Sequence, residues 1–274
     1  MKGKLKRFPV YFFLSLLAIM VLYPLYFALI SSLKPIIQYT TDKLAFPGSF
    51  YLQNYVTVLF RMNLLSYMVN TVVTVSVSLI FYLIICSAAG LAFGKFNFKG
   101  RVVMFSLVLF FMIFPQMVVA GELYQLLARM RLLNTRMGII LAWCAYFAPF
   151  GSYIMTTYFA AVPKEILESA RIDGSNVFQM LFRIMMPVAK PMLGTIGVIG
   201  TLSMWNELPF ASLILQRDNL RTLTVGIALL QGEFGLPVPV LSSAVIVSSF
   251  IPMVSYFFFQ NFIALDVTAG SIKG

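Results

Sequence analysis

Long runs without a charged residue are the feature that most restricts how this chain can fold. Five runs of at least 20 residues contain no charged residue, and a sixth, which ends before Arg217, contains only Glu207. A helix that crosses a bilayer needs about 20 mostly apolar residues. Charged residues make up 11% of the chain and hydrophobic ones 60%, whereas about a quarter of a soluble domain is charged. We therefore predict an all-α integral membrane protein.

The six runs predict six transmembrane helices in one membrane domain that comprises residues 1–274. The predicted spans are about 8–33, 65–94, 102–121, 137–161, 191–216 and 240–264. The four basic residues before the first span favour a cytoplasmic N-terminus, and six crossings then return the C-terminus to the cytoplasm. In that topology 12 of the 20 Lys and Arg residues lie inside. We predict an N-in, C-in protein in which residues 162–190 form the long cytoplasmic loop between spans 4 and 5.

Several functions are excluded by residues that the chain lacks. It contains no His, so a proton relay through His, a zinc site or a Ser–His or Cys–His pair is not expected. Cys86 and Cys144 lie deep in apolar runs and are expected to be small buried side chains. Gly90 and Gly94 lack the spacing of a phosphate-binding loop and are interpreted as packing residues. We expect no enzyme activity, no cofactor and no metal, and the net charge of +11 is interpreted as a topology signal instead of a nucleic-acid site.

The long cytoplasmic loop has the pattern of two short helices joined by a turn. Glu165 and Glu168 suit the first turn of a helix, where they meet its dipole. Asp173-Gly174 ends that helix, because glycine most readily takes the positive φ found after a helix C-terminus. Pro187 and Pro191 end the second helix. Its predicted apolar stripe consists of Val177, Phe178, Leu181, Phe182 and Met185.

The apolar stripe has two possible roles. It could pack against the ends of the protein's own spans, or it could dock a soluble partner, since amphipathic helices are a common recognition surface. The sequence pattern by itself leaves both open.

The same residues resemble a known family. Glu168-Ser169-Ala170, Asp173-Gly174, and Ile184 with Pro187 are similar to the EAA loop of permease subunits of binding-protein-dependent ABC importers. Two positions differ from the family pattern Glu-Ala-Ala, Asp-Gly, Ile-x-Leu-Pro: Ser169 replaces the middle Ala, and Met186 replaces the Leu. The resemblance implies that this loop docks on an ATPase subunit. The residues implied in coupling are Glu165, Glu168, Ser169, Ala170, Asp173, Gly174, Phe178 and Pro187.

Trp205-Asn206-Glu207 and the ending Thr268–Gly274 resemble the branch of this family that imports di- and oligosaccharides. The resemblance implies a second homologous permease, two ATPase subunits that bind the ATP, and an extracytoplasmic sugar-binding protein. It also implies a multi-pass protein of a bacterial or archaeal cell membrane, which moves a carbohydrate by ATP-driven alternating access.

Glu207 is the one acid predicted to lie within a span. An ionisable group at depth is costly, which makes it a candidate functional residue. Asn206 and Glu207 are predicted to line the translocation path or to hold a gate. The alternative is that Glu207 lies close enough to the outer interface to be solvated. Trp205, Asn70 and Gln116 complete the predicted path, although polar residues in spans also hold helices together.

Three other functions remain possible from the residues. A permease of another ABC import branch, for amino acids, phosphate or polyamines, would share the loop. An ion-coupled secondary transporter would show paired charges within the membrane and repeated halves. A membrane enzyme would need a nucleophile and a base.

Overall fold

The computed structural model of this protein describes the backbone of residues 8–270 and the side chains of residues 9–230 and 235–257. All the regular structure in residues 8–270 is helical, which confirms the predicted all-α class. Residues 1–7, which contain the four basic residues before the first span, lie outside the described residues, as do residues 271–274 of the ending Thr268–Gly274.

The helices are numbered here in chain order. They are α1 (Phe8–Ser32), α2 (Ile36–Thr41), α3 (Gln53–Val56), α4 (Leu64–Lys95), α5 (Arg101–Phe111), α6 (Gln116–Arg129), α7 (Arg136–Ala161), α8 (Glu165–Ile172), α9 (Val177–Val188), α10 (Lys190–Trp205), α11 (Pro209–Ile214), α12 (Leu223–Phe234) and α13 (Val238–Gly270). Wider π-helical turns extend α3 through Thr57–Arg61 and occupy Met180–Met185 of α9.

Four helices, α1, α4, α7 and the first part of α13, are long and apolar enough to cross a membrane. The predicted bounds of the first, second and fourth spans agree with α1, α4 and α7. Two bent pairs, α5 with α6 at 105° and α9 with α10 at 85°, raise the number of candidate spans to as many as six. The protein is therefore a multi-pass membrane protein.

Two predicted spans are wrong as continuous helices. The run 102–121 breaks after α5, and Pro115 stands immediately before α6 with an extended backbone. The run 191–216 breaks after Trp205, and Pro209 begins α11. Proline has no N–H to donate and disfavours helical geometry in the residue before it. Both breaks therefore lie beside a proline, although Pro24, Pro149 and Pro252 lie inside unbroken helices.

The chain divides into two compact units. The first contains residues 8–66 and 226–250. In it, Asn54 Nδ2 donates to the carbonyl oxygens of Ser32 and Lys34, both at 2.9 Å. The buried Lys34 Nζ donates to the carbonyls of Asp42 at 3.3 Å and Lys43 at 2.9 Å. These contacts fasten the loop after α1, whereas most of the apolar side chains of α1 are exposed.

The second unit contains residues 67–225 and 251–270. In it, α4 and α7 approach closely at two glycines. A Cβ added to Gly90 would lie 2.6 Å from Met155 Cβ, and one added to Gly94 would lie 2.9 Å from the Thr156 carbonyl oxygen. Small residues spaced by four allow such helix contacts in membranes. Their interpretation as packing residues is confirmed.

Aromatic and sulfur side chains fill the centre of the second unit. Tyr82 is 1% exposed and lies against Gly151 of α7 and Gly200 of α10. Cys86 and Cys144 are both buried and unpaired, as expected for small core side chains.

Candidate functional site

The helix–turn–helix at residues 165–188, which we call the coupling loop, has the turn that its sequence predicts. Gly174 has a φ of +78°. Its N–H donates to the Arg171 carbonyl at 3.0 Å, and the Ser175 N–H donates to the Ala170 carbonyl at 2.9 Å. This pair of bonds is the Schellman ending of a helix. Asn176 then caps α9 by exchanging two 2.9 Å hydrogen bonds with Gln179. Every step of the turn is thus specified locally.

The predicted apolar stripe of α9 does not lie on one face. Leu181 and Met185 are buried, but Phe178 is 74% exposed and Val177 52%. Within this helix, which includes the π-helical turn Met180–Met185, Leu181 and Met185 face the interior, whereas Val177, Phe178 and Phe182 are exposed. Six large apolar side chains of the coupling loop are exposed, and we call the four from the end of α8 to the middle of α9 the apolar ridge: Ile172, Val177, Phe178 and Phe182.

The predicted coupling residues fall on both sides of α8. Ala170 is buried with Leu167. The other seven are exposed: Glu165, Glu168, Ser169, Asp173, Gly174, Phe178 and Pro187. Ser169 Oγ donates to the Glu165 carbonyl at 2.8 Å, a bond within α8.

The coupling loop is anchored to the ends of two candidate spans. Lys95, the last residue of α4, donates from Nζ to the Ala160 carbonyl at 3.3 Å and to the Val162 carbonyl. Arg171 Cζ of α8 lies 5.7 Å from the centre of the Phe96 ring, within the range of a cation–π contact. A cavity of about 70 Å³ between them is lined by Lys95, Phe96, Lys164, Leu167, Glu168 and Arg171. The Arg171–Phe96 contact therefore joins α8 to the residue that follows α4, and the Lys95 bonds join α4 to the end of α7.

Glu207 lies in the break between α10 and α11, and its carboxylate is buried. Oε1 accepts hydrogen bonds from Gln116 Nε2 and the Phe210 N–H, both at 2.6 Å. Oε2 accepts from Trp143 Nε1 at 2.8 Å and the Ala211 N–H at 3.0 Å. A buried carboxylate is tolerated when its lone pairs are satisfied by such donors. The 4% exposure of Glu207 favours a buried carboxylate over the alternative of a solvated one.

The other predicted path residues occupy three different environments. Trp205 is buried, and its carbonyl accepts from Thr224 Oγ1 at 2.8 Å. Asn206 is exposed, and its Nδ2 donates to the Leu202 carbonyl of α10 at 2.9 Å. Asn70 is buried away from this group of contacts.

Asn70 belongs to a second polar cluster, which fastens the segment 215–222. Its Nδ2 donates to the Asn219 carbonyl at 2.9 Å, and its Oδ1 accepts from Arg136 at 3.0 Å. Asn134 Oδ1 accepts from the N–H groups of Gln216 at 2.8 Å and Arg217 at 2.9 Å. The role of Asn70 as a residue that holds elements together is therefore the one its contacts support.

Trp143 and Asn134 were not predicted as site residues. A tryptophan in an apolar run has an indole N–H that requires an acceptor, and Glu207 is the acid predicted to lie in a span, so this pairing could have been inferred. No sequence signal shows that Asn134 has a φ of +55° or that it meets a segment some 80 residues away.

Comparison with known proteins identifies relatives over almost the whole length. The family model described as "Binding-protein-dependent transport system inner membrane component" matches residues 87–268. The trehalose/maltose transport system permease protein MalG of Thermococcus litoralis is 28% identical, over 98% of this chain and 98% of that protein. The sulfoquinovosyl glycerol transport system permease protein SmoH of Agrobacterium fabrum is 28% identical, over 95% of this chain and 92% of that protein.

The fold also matches a solved structure. A chain in the crystal structure of a bacterial ABC transporter involved in the import of the acidic polysaccharide alginate superposes with a TM-score of 0.81 and 22% identity. The match covers 95% of this chain and 96% of that one. At this identity the likeness concerns the fold alone.

Proposed function

Because this chain belongs to the family of binding-protein-dependent transport system inner membrane components, we propose that it is a transmembrane permease subunit of an ABC importer that carries a di- or oligosaccharide into the cytoplasm. The sugar class is supported by relatives named for trehalose or maltose and for sulfoquinovosyl glycerol. Family membership sets aside the secondary transporter and the membrane enzyme.

The observation that carries the proposal is the apolar ridge on the coupling loop. Phe178 and Ile172 are 74% and 87% exposed, and neither lies in one of the four helices that are long enough to cross a membrane by themselves. Apolar side chains grouped outside the membrane mark an interaction site. We assign the ridge, with the exposed Glu168 and Gly174, to the docking of an ATPase subunit. ATP binds to that partner, and this chain contributes the docking surface.

The complete importer in this proposal has two homologous permeases, two ATPase subunits and an extracytoplasmic sugar-binding protein. This chain crosses six times, with both termini in the cytoplasm, α5 and α6 counted as one crossing, and α10 and α11 counted as another. The bilayer surrounds the apolar side chains of α1, which are exposed along most of the helix.

The path for the sugar is proposed to run past the break after α10. Asn206 has an exposed amide there, and sugar hydroxyls need such donors and acceptors. Trp205, Gln116 and Glu207 are proposed to hold the backbone at Asn206 in place. Asn70 supports the segment 215–222.

The test is a pull-down of the tagged chain from native membranes in mild detergent. The wild type is expected to recover an ATPase and a second permease. Phe178→Asp and Gly174→Asp are expected to reduce the recovered ATPase by about tenfold, because they place a charge in an apolar interface. Phe50→Asp is the matched control, since Phe50 is 75% exposed and lies on the outer side in the proposed topology.

Recovery of the wild-type chain without any ATPase, in detergent that preserves other importers, contradicts the proposal. Equal ATPase recovery with Phe178→Asp contradicts the docking assignment. The sugar-binding protein encoded with the recovered partners supplies the candidate sugar, which uptake of the radiolabelled compound then checks.

A further inference from the structure

One carboxylate joins two helix breaks. Glu207 lies in the break between α10 and α11, and its partner Gln116 is the first residue of α6, immediately after the break that follows α5. Trp143, which also donates to Glu207, belongs to the long helix α7. The helices that follow the two breaks are therefore held to α7, and to each other, through the same two oxygen atoms.

The donors around Glu207 require an acceptor on both oxygens. Each oxygen accepts one side-chain N–H and one backbone N–H. A glutamine in this place would present an NH₂ group to two of those donors, because an amide has only one acceptor oxygen. The geometry thus distinguishes glutamate from its closest neutral analogue.

The helix that precedes Glu207 begins at the coupling loop. α10 starts at Lys190, directly after the buried Ala189 at the end of α9, and continues without interruption to Trp205. Its 16 residues correspond to about 24 Å at 1.5 Å per residue. This uninterrupted helix connects the coupling loop, across the 85° bend after α9, to the break that contains Glu207.

We propose that Glu207 is a positioning residue that transmits the movement of α10 to α6 and α11. Its carboxylate keeps the backbone after each break in one arrangement, so that α6 and α11 follow α10 instead of pivoting independently at residues 112–115 and 206–208. This inference rests on the proposed function, since the movement begins where the ATPase docks. A residue that only lined the sugar path would change sugar affinity, whereas Glu207 sets how much transport each ATP produces.

The test uses the complete importer in lipid nanodiscs and proteoliposomes and compares Glu207→Gln with the wild type. Because hydrogen bonds to a charged group stabilise strongly when buried, we expect the ratio of sugar transported to ATP hydrolysed to fall by about tenfold or more. ATPase recovery stays unchanged, and any change in the sugar concentration for half-maximal uptake is smaller than the change in this ratio. Glu122→Gln is the matched control, because Glu122 is an exposed glutamate of α6.

Hydrogen exchange of the same complexes gives a local measurement. The amides of Phe210 and Ala211 donate to Glu207, so they lose protection in Glu207→Gln and keep it in Glu122→Gln. Gln116→Leu removes one donor and leaves the carboxylate. It is expected to lower the transport ratio by roughly threefold to tenfold, and it decides the matter if Glu207→Gln does not assemble.

Three results would overturn the inference. The first is a wild-type transport ratio in Glu207→Gln, or in Gln116→Leu where only that variant assembles. The second is a change confined to sugar affinity, and the third is unchanged protection at Phe210 and Ala211. If the wild-type complex itself contains no ATPase, it is the proposed function that fails.

Discussion

At the scale of single residues, glycine at close helix contacts determines how the second unit packs. Gly90 leaves room for Met155 and Gly94 for the backbone at Thr156. Lipid supplies little hydrophobic drive for two apolar helices to associate, so close van der Waals contact has to do so. Each glycine at the contact therefore contributes more than its lack of a side chain suggests.

Gly90→Ala should destabilise the protein. The new Cβ would lie 2.6 Å from Met155 Cβ and 2.9 Å from its carbonyl carbon, so backbone has to move at a cost of about 1–3 kcal/mol. Heating the complex with a thiol-reactive dye and following the labelled chain on a gel measures the loss, since Cys86 and Cys144 are buried until the chain unfolds. Gly121→Ala, with nothing within 4 Å of its added Cβ, should label at the wild-type temperature; equal behaviour of both variants would contradict the packing role.

At the scale of elements, the apolar pattern of the sequence does not show where a helix is broken. The run 191–216 satisfies any test of length and apolarity, yet α10 ends at Trp205. Mean hydropathy depends on the side chains alone, whereas a helix break also depends on backbone hydrogen bonds, which a proline cannot donate. Once the break is made, the freed backbone N–H groups need acceptors, and Glu207 supplies two of them.

Asn134→Gly should loosen the segment 215–222. Glycine accepts the positive φ of this position but loses the two bonds to the N–H groups of Gln216 and Arg217. Because cleavage follows the population of the opened form, trypsin should cut after the exposed Arg217 about tenfold faster. Asn63→Gly is the control, since Asn63 also has a positive φ, of 56°; equal rates for both variants would remove the role assigned to Asn134.

At the scale of the whole molecule, the sequence predicts what depends on local rules and misses what depends on distant contacts. The bounds of α4 and α7, the Gly174 turn and the burial of Cys86 and Cys144 follow from apolarity, helix-ending chemistry and composition. The two side-chain partners of Glu207, Trp143 and Gln116, lie 64 and 91 positions away in the chain. No local pattern specifies these contacts, so the sequence predicts Glu207 and Gln116 as site residues but not the hydrogen bond between them.

The proposed topology predicts opposite labelling of two exposed positions. In intact cells, Phe50→Cys should react with a membrane-impermeant maleimide, whereas Lys99→Cys should react only after permeabilisation. The wild type is the background control, because both native cysteines are buried. Labelling of Lys99→Cys in intact cells would reverse the assignment of inside and outside.

The contact between α4 and α7 also has a consequence for synthesis. Roughly 65 residues separate the end of α4 from the end of α7, and a ribosome that adds about 5–20 residues per second needs some 3–13 s to make them. Throughout that interval the glycine face of α4 has been inserted but its matching helix has not yet emerged. We therefore expect this contact to form only after α7 has been made, so the order of synthesis sets when the second unit can pack.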